Sequence, residues 1–370
     1  MSKRSVFRRS IAFLALSACL ASVHATELGD HFSLSGFGTI AALKTDTDDA
    51  RYVRESQTKG ASDSPSFGTD SDFGLQLNAK ANDWLSATVQ TVTKRRAKTY
   101  NATQVEWAFV KVEPVAGLSF RAGRMAMPTF AFSDSRNIGY SNPWLHAPNE
   151  VYGIAMVDRL DGADLTYAFG VAGGSLKTTV LAGRSEYSTD LDVFVPDLVE
   201  TMDVNHVRGV NLAWENDWLS LRAGRIQVRA GLPSVAGGGE AKNTFDGVGA
   251  TINHNNFLFQ TEYVRRRGER KVSRQSDTDA WYVLGGYRIG QFQPFVGYAK
   301  LDPTRDADVV NGRQTTTSLG VRWDFHRSMA LKAQWDIVDT HGTNGVSFHK
   351  VEPSFDGKAN VAALAFDFVF

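Results

Sequence analysis

Cysteine is almost missing from the chain, one residue in 370, so neither a disulfide framework nor a thiolate metal site can be built from it. Charge of one sign is not in excess either, because 40 Lys and Arg balance 40 Asp and Glu. That excludes the basic surplus usual in a nucleic-acid binder and the acidic surplus of a disordered tail. Beyond the first 25 residues no uncharged apolar run approaches about 18 residues, and mean hydropathy is −0.25, which excludes a bundle of membrane-spanning helices. Proline is sparse, 10 residues against 33 Gly, 23 Phe and 8 Trp. This favours many strands over the two or three soluble domains that length alone suggests. Enzyme signatures are absent as well: there is no HExxH, GxSxG, P-loop or strand-linked GxGxxG, and the eight His are scattered. Asp46-Thr47-Asp48-Asp49 lacks the Gly and the terminal Glu of a calcium loop. No catalytic site, metal or cofactor is expected.

What is present begins with a leader. Lys3, Arg4, Arg8 and Arg9 precede an uncharged run from Ile11 to Val23 and the small-residue site ending at Ala25, the pattern of a cleaved secretory signal over residues 1–25. The run is too short for a spanning anchor, which needs about 20 residues. An alternative reading of Leu16-Ser17-Ala18-Cys19 is a lipoprotein box that would leave Cys19 lipidated. Removal of four bases and no acid leaves 36 bases against 40 acids in residues 26–370, a mildly acidic chain without cysteine. Such a chain suits export through an oxidising compartment.

Period two dominates that remainder. Phe73, Leu75, Leu77, Ala79 and Ala81 alternate with Asp72, Gly74, Gln76, Asn78 and Lys80, and after Asn82-Asp83 the pattern restarts at Leu85, a hairpin signature. The turn Asn82-Asp83-Trp84-Leu85-Ser86 reappears as Asn216-Asp217-Trp218-Leu219-Ser220. Short turns (Asn82-Asp83, Glu215 to Asp217, Asn253 to Asn256, Ile289 to Gln291, His326 to Ser328) alternate with long polar connections (Lys44 to Asp70, Glu186 to Asp203, Val228 to Thr244, Arg266 to Thr278, Asp302 to Gln314, Asp339 to Lys358). A transmembrane antiparallel β-barrel has this asymmetry, and a soluble β-sandwich also alternates. The weakly charged apolar face and the aromatics beside the short turns, Trp84, Trp214, Trp218, Trp323 and Phe325, favour the barrel, because aromatic girdles mark membrane interfaces. Seventeen segments qualify as strands. A single-chain bacterial barrel needs an even count, so Val151 to Arg159 is assigned to an inward or rim segment and 16 strands are expected.

The Tyr287 to Phe295 hairpin, the strand Leu319-Gly320-Val321-Arg322-Trp323-Asp324-Phe325 and the last strand ending at Phe370 resemble the general porins of Gram-negative outer membranes. The resemblance implies a 16-stranded barrel in the outer membrane, often a homotrimer, through which small hydrophilic solutes and ions diffuse passively. It also implies that Phe370 is read by the outer-membrane assembly machinery. By the same resemblance, the segment Met125 to Glu150 is the third loop, folded inward at the narrowest point. Its Phe130, Phe132, Tyr140, Trp144 and three prolines suit a packed plug, while an external loop at a subunit contact is the other reading.

Opposite parity to the apolar face nominates Arg121, Arg222, Arg322 and Lys332, with Glu106, Glu262, Asp324 and Asp336, for the lumen, where charge in a narrow wet passage biases ion traffic. Asp134 and Glu150 of the inward loop are expected opposite Arg121 and Arg124, although the parity of Arg124 requires a bulge to turn it inward. Two loop clusters, basic Arg265, Arg266, Arg267, Arg270, Lys271 and Arg274 and acidic Glu186 to Asp203, suit either lipopolysaccharide contact or plain solvation. Outer-membrane lipid is the expected surrounding and nucleic acid is not a partner. The rival functions are an outer-membrane barrel enzyme of lipase or protease type and a structural or adhesive barrel without conductance.

Overall fold

The computed structural model describes residues 26–27, 29–54, 57, 59–96, 101–155, 157–190, 198–232, 238–269, 277–303 and 312–370. The leader with Cys19, and Arg270, Lys271 and Arg274, lie outside them. Sixteen strands close into an antiparallel barrel. In chain order they are Phe32–Thr45 (β1), Asp72–Lys80 (β2), Leu85–Lys94 (β3), Ala102–Val115 (β4), Leu118–Ala126 (β5), Arg159–Val171 (β6), Gly174–Asp190 (β7) and Val199–Glu215 (β8). They continue with Leu219–Gly231 (β9), Glu240–His254 (β10), Phe257–Gly268 (β11), Thr278–Tyr287 (β12), Phe292–Pro303 (β13), Gln314–His326 (β14), Met329–Asp339 (β15) and Lys358–Val369 (β16). Each strand pairs with the next, and β16 returns to β1 with Val361 opposite Thr45 and Val369 opposite Phe37. Closure removes the sheet edge, whose unpaired N–H and C=O groups would each cost several kcal/mol in hydrocarbon. Val151 to Arg159 is no barrel strand: it overlaps a short helix, α1 (Asn149–Tyr152), and β6 starts only at Arg159.

Alternation sorts the two faces of the wall. On β15, Leu331, Trp335 and Ile337 are exposed while Lys332, Gln334 and Asp336 are buried. On β2, Phe73, Leu75 and Leu77 are exposed. A soluble sandwich would hide the apolar set, so this exposure points to hydrocarbon as the solvent. Trp84, Trp218, Trp323 and Phe325 are exposed beside the short turns as expected, and Phe257, Tyr287 and Phe292 join them. From Phe292 an aromatic row runs through Trp323, Phe325, Phe366 and Phe368 to Phe370, with ring centroids 5.4–6.5 Å apart. At the opposite ends of the strands the same face carries ion pairs instead, Arg225–Asp246 at 2.5 Å, Arg265–Asp279 at 3.3 Å and Lys300–Asp302 at 2.7 Å. Phe292 to Lys300 spans about 26 Å of strand at about 3.3 Å per residue. That is of the order of the apolar band of an outer-membrane barrel.

Turns and seam follow from local chemistry. Asn255 and Asn256, with φ of 48° and 69°, form the two-residue turn whose twist matches an antiparallel hairpin. At the seam Gly36 and Phe370 exchange two backbone hydrogen bonds of 2.9 Å, and a Cβ on Gly36 would stand 2.2 Å from the Phe370 ring.

Several connections read as plain polar loops are shorter, because strands run on into them. β7 reaches Asp190, β8 begins at Val199 and β10 begins at Glu240. Above the membrane both faces are wet, so the apolar alternation fades while backbone pairing continues. The connections 46–71 and 340–357 also pair through two short strands, Arg51–Tyr52 and Phe348–His349, and bury Ala50, Tyr52, Ala61 and Phe348 in one cluster.

Candidate functional site

Residues 127–158, between β5 and β6, pack on the polar face of the wall. Arg222 on β9 donates to the carbonyls of Pro128 and Phe130. Glu262 on β11 accepts from the Ala131 N–H at 2.7 Å, the Tyr282 hydroxyl at 3.1 Å and the Tyr152 hydroxyl. Arg322 on β14 donates to the carbonyls of Tyr140 and Asn142. Lys332 on β15 donates to Gly139 O at 2.7 Å and Trp144 O at 2.8 Å, and its ammonium lies 2.7 Å from Asp367 on β16. Gln334 accepts from the Leu145 N–H at 2.9 Å. His146 sets Nδ1 3.2 Å from Asp70 Oδ2 and Nε2 2.6 Å from Asp336 Oδ2, so the ring bridges the connection after β1 and the wall strand β15. Phe130, Trp144, Val151, Tyr152 and Ile154 complete the contact by packing on Tyr282, Leu284, Phe295 and Leu301. Gly139 is needed for close approach, since a Cβ there would meet Thr39 Oγ1 at 2.4 Å and Asp367 Oδ1 at 2.5 Å.

The charges nominated from parity therefore divide. Arg222, Arg322, Lys332, Glu262 and Asp336 stand on the polar face, but beneath this segment, as its anchors. Arg121 stands on the polar face bonded to Asp164 through Nε at 3.0 and 3.1 Å, and Asp134 is within electrostatic reach of both Arg121 and Arg222. Glu106 pairs with Arg96 at 2.6 Å and Arg159 at 4.0 Å, at a bulge where Trp107 and Val105 face consecutive residues of β3. Asp324 pairs with Arg322 at 2.7 Å and Arg288 at 2.9 Å.

Two positions depart from expectation. Arg124 stays on the apolar face, three residues beyond Arg121, and pairs with Asp161 directly across at 2.6 Å; no bulge turns it inward. Glu150 does not face the arginines of β5. Its position in α1 directs it to β14, where it is buried and accepts hydrogen bonds from Gln314 at 2.7 Å and from Thr316. The basic run splits too: Arg265 and Arg267 face outward onto Asp279, whereas Arg266 is buried and donates to Ile154 O at 3.3 Å.

Burial pushes the Glu150 carboxyl above the usual carboxylate range, against the opposing hydrogen bonds from Thr316 and Gln314. Because folding raises this pKa, the group adds stability that is fully present below the unfolded value of about 4.3. That stability is lost as pH rises through the folded value. Thermal midpoints in detergent should thus fall from pH 4 to pH 7 in the wild type and fall less in Glu150→Gln. Equal pH dependence in the two proteins would contradict this placement.

A polar cleft of about 80 Å³ separates the segment from β1–β3 and is lined by Thr39, Arg54, Asp70, Asp72, Lys94, Arg136, Asn142 and His146 among others. None of these was singled out from sequence apart from the alternation that put Asp72 on the polar side. The available signal was Asp72 opposite Lys94 at the loop end of a hairpin. A larger hollow of about 630 Å³ lies over β14, β15, β16 and β1, nowhere near these charges, and apart from Lys44 and Gln334 its lining is mainly apolar.

The family described as Gram-negative porin matches residues 10–356. The chain belongs to the Gram-negative porins. No curated protein sequence matches this porin. Among solved structures the porin resembles the anion-selective porin from Comamonas acidovorans, with TM-score 0.60 and 14% identity over 92% of this chain and 99% of that one. It also resembles OmpF of Salmonella typhi, solved with daunomycin, with TM-score 0.59 and 16% identity over 92% and 97%. OmpT of Vibrio cholerae, an outer membrane protein in a trimer form, gives TM-score 0.56 and 16% identity over 92% and 100%. At these identities the likeness is one of fold.

Proposed function

We propose that this porin is a passive channel for small hydrophilic solutes and ions, and that residues 127–158 lie in its lumen as the constriction. The observation that carries the reading is that one segment meets β9, β11, β14, β15 and β16 through their polar faces. Contact with the polar faces of five strands supports a position on the concave side of the wall. The remaining passage runs between the segment and β1–β5, past Asp72, Lys94, Arg96, Glu106, Arg121 and Arg136. Opposite charges across a narrow wet passage set a transverse field that orders polar solutes.

Residues 1–25 act in this reading as a cleaved secretory signal and residues 26–370 as the barrel, inserted in the outer membrane by machinery that reads Phe370. A homotrimer is supported by the apolar hollow over β14–β16 and β1 and by the trimer form of the Vibrio barrel. Lipopolysaccharide contact is supported by Arg225, Arg265 and Arg267 at the loop-side rim of the apolar face, whose guanidinium groups suit phosphate. No catalytic role is assigned to any residue.

Liposome swelling tests the reading. Vesicles carrying the protein should admit small sugars at rates that fall steeply with sugar size. Swelling no faster than that of protein-free vesicles, from protein whose gel mobility shifts on heating as a folded barrel's does, would refute it.

A further inference from the structure

His146 joins three parts of the chain: the segment between β5 and β6 that carries it, the connection between β1 and β2 through Asp70, and β15 through Asp336. The two ring contacts are Nδ1 to Asp70 Oδ2 at 3.2 Å and Nε2 to Asp336 Oδ2 at 2.6 Å. The side chains of His146, Asp70 and Asp336 are 4%, 7% and 3% exposed, so water has little access to either contact. A hydrogen bond needs a proton between its two heavy atoms, and these two contacts need two. A neutral imidazole brings one and two ionised carboxylates bring none. The trio therefore holds one proton more than its groups carry separately in neutral water. Whether that proton sits on the ring or on a carboxyl, its loss turns a ring lone pair onto a carboxylate oxygen in one of the contacts, and that contact opens.

We propose that this proton ties the connection between β1 and β2 to residues 127–158 and that its release widens the passage, a regulation by pH that rests on the channel reading above. The wall side of the bridge is the fixed side. Asp336 also accepts from Gln334 Nε2 at 3.0 and 3.2 Å, and Gln334 holds the Leu145 N–H beside the ring. Asp70 has another cation to turn to, the Arg54 guanidinium at 3.7 Å, so the contact at 3.2 Å is the one that opens. The Tyr52 hydroxyl, 3.4 Å from Nε2, is too far away to fill a 2.6 Å contact. Asp70 and His146 both line the cleft between the segment and β1–β3, so parting them enlarges it. The other charged or titratable groups around the ring are Arg54, Asp72, Lys94, Arg136 and Glu150, with the phenols Tyr52, Tyr282 and Tyr298. Arginine and lysine stay charged and tyrosine stays neutral around pH 7. Asp72 and Glu150 are thus the groups whose titration the test has to separate from that of the trio.

Single-channel recording from about pH 5 to pH 9, the range that brackets histidine titration, tests this. Wild-type open-channel current should rise and become noisier with pH along a one-proton curve. His146→Gln and Asp70→Asn should each lose that curve. Glutamine binds no proton in this range, and an amide at position 70 can donate to a neutral ring, so neither variant needs the extra proton. Both variants are first checked for the heat-dependent gel shift of a folded barrel, and either one that folds decides the matter. Asp72 and Glu150 are intact in both, so any pH effect of theirs persists. A variant with the wild-type pH curve would overturn the proposal, as would wild-type current that does not change with pH. If the protein carries no current the channel reading itself fails, and hydrogen exchange of the full chain in detergent decides the tie. After correction for intrinsic rates, amides of residues 66–71 should exchange about tenfold faster at pH 8.5 than at pH 5.5 in the wild type, the effect of losing one hydrogen bond to a charged group. No such change should appear in the variants, and equal acceleration in wild type and variants, or none in the wild type, refutes the tie.

Discussion

Lys332→Met is expected to destabilise the barrel by about 3–5 kcal/mol, the usual cost of removing one partner from a buried ion pair. Lys332 and Asp367 each have only 1% of the side chain exposed, so the abandoned carboxylate has no water to turn to. Thr39 donates to its other oxygen at 2.7 Å but cannot replace the charge. Two further bonds go with the ammonium, those to Gly139 O and Trp144 O, which pin the middle of the segment between β5 and β6. The thermal midpoint in detergent should fall, and single-channel current should rise and become noisier as the segment loosens. The double variant Lys332→Met with Asp367→Leu should recover much of the midpoint, because no unpaired charge remains, but not the quiet current, because the segment stays unpinned. A single variant as stable and as quiet as the wild type would remove Lys332 from this role.

Glu262→Ala should act at the other end of the segment. One carboxylate there serves three donors, the Ala131 N–H and the hydroxyls of Tyr152 and Tyr282, and all three would be stranded in a buried aromatic cluster. At about 1–3 kcal/mol for each unsatisfied donor, the loss is several kcal/mol, with a cavity added where the side chain stood. Arg222, which holds the Pro128 and Phe130 carbonyls nearby, would keep its own bonds. The effect should therefore concentrate on residues 131–152, read as faster amide exchange there than in 127–130. Glu262→Gln keeps the carbonyl acceptor and should cost markedly less than Glu262→Ala. Equal losses would show that packing, not the acceptor, holds the segment.

The wall was legible from sequence because a strand's side chains alternate strictly. Phe73, Leu75 and Leu77 outward and Lys332 and Asp336 inward follow from period two, and evenness of the strand count removed Val151 to Arg159. What covers a given face is not written in alternation. Lys332, Glu262 and Arg322 read as pore-lining charges and turn out to anchor the segment, because its docking depends on contacts between positions far apart in sequence. Glu150 was misjudged for a local reason: a four-residue helix turns it to β14, and nothing in a Pro-rich loop fixes that direction beforehand. Arg124 shows the opposite error, a departure from strict parity invoked to bring a charge inward, where the strand simply continues and supplies Asp161 as partner. Asp72, Lys94 and Arg136 went unnoticed because only the folded segment makes their cleft narrow.

Planar-bilayer recording of the purified protein under a salt gradient tests the central claim most directly. A water-filled porin gives stepwise increases in current on insertion, with a reversal potential set by the balance of fixed charge along the passage. Heat-modifiable, correctly folded barrel that inserts and yet gives no current steps would contradict the account.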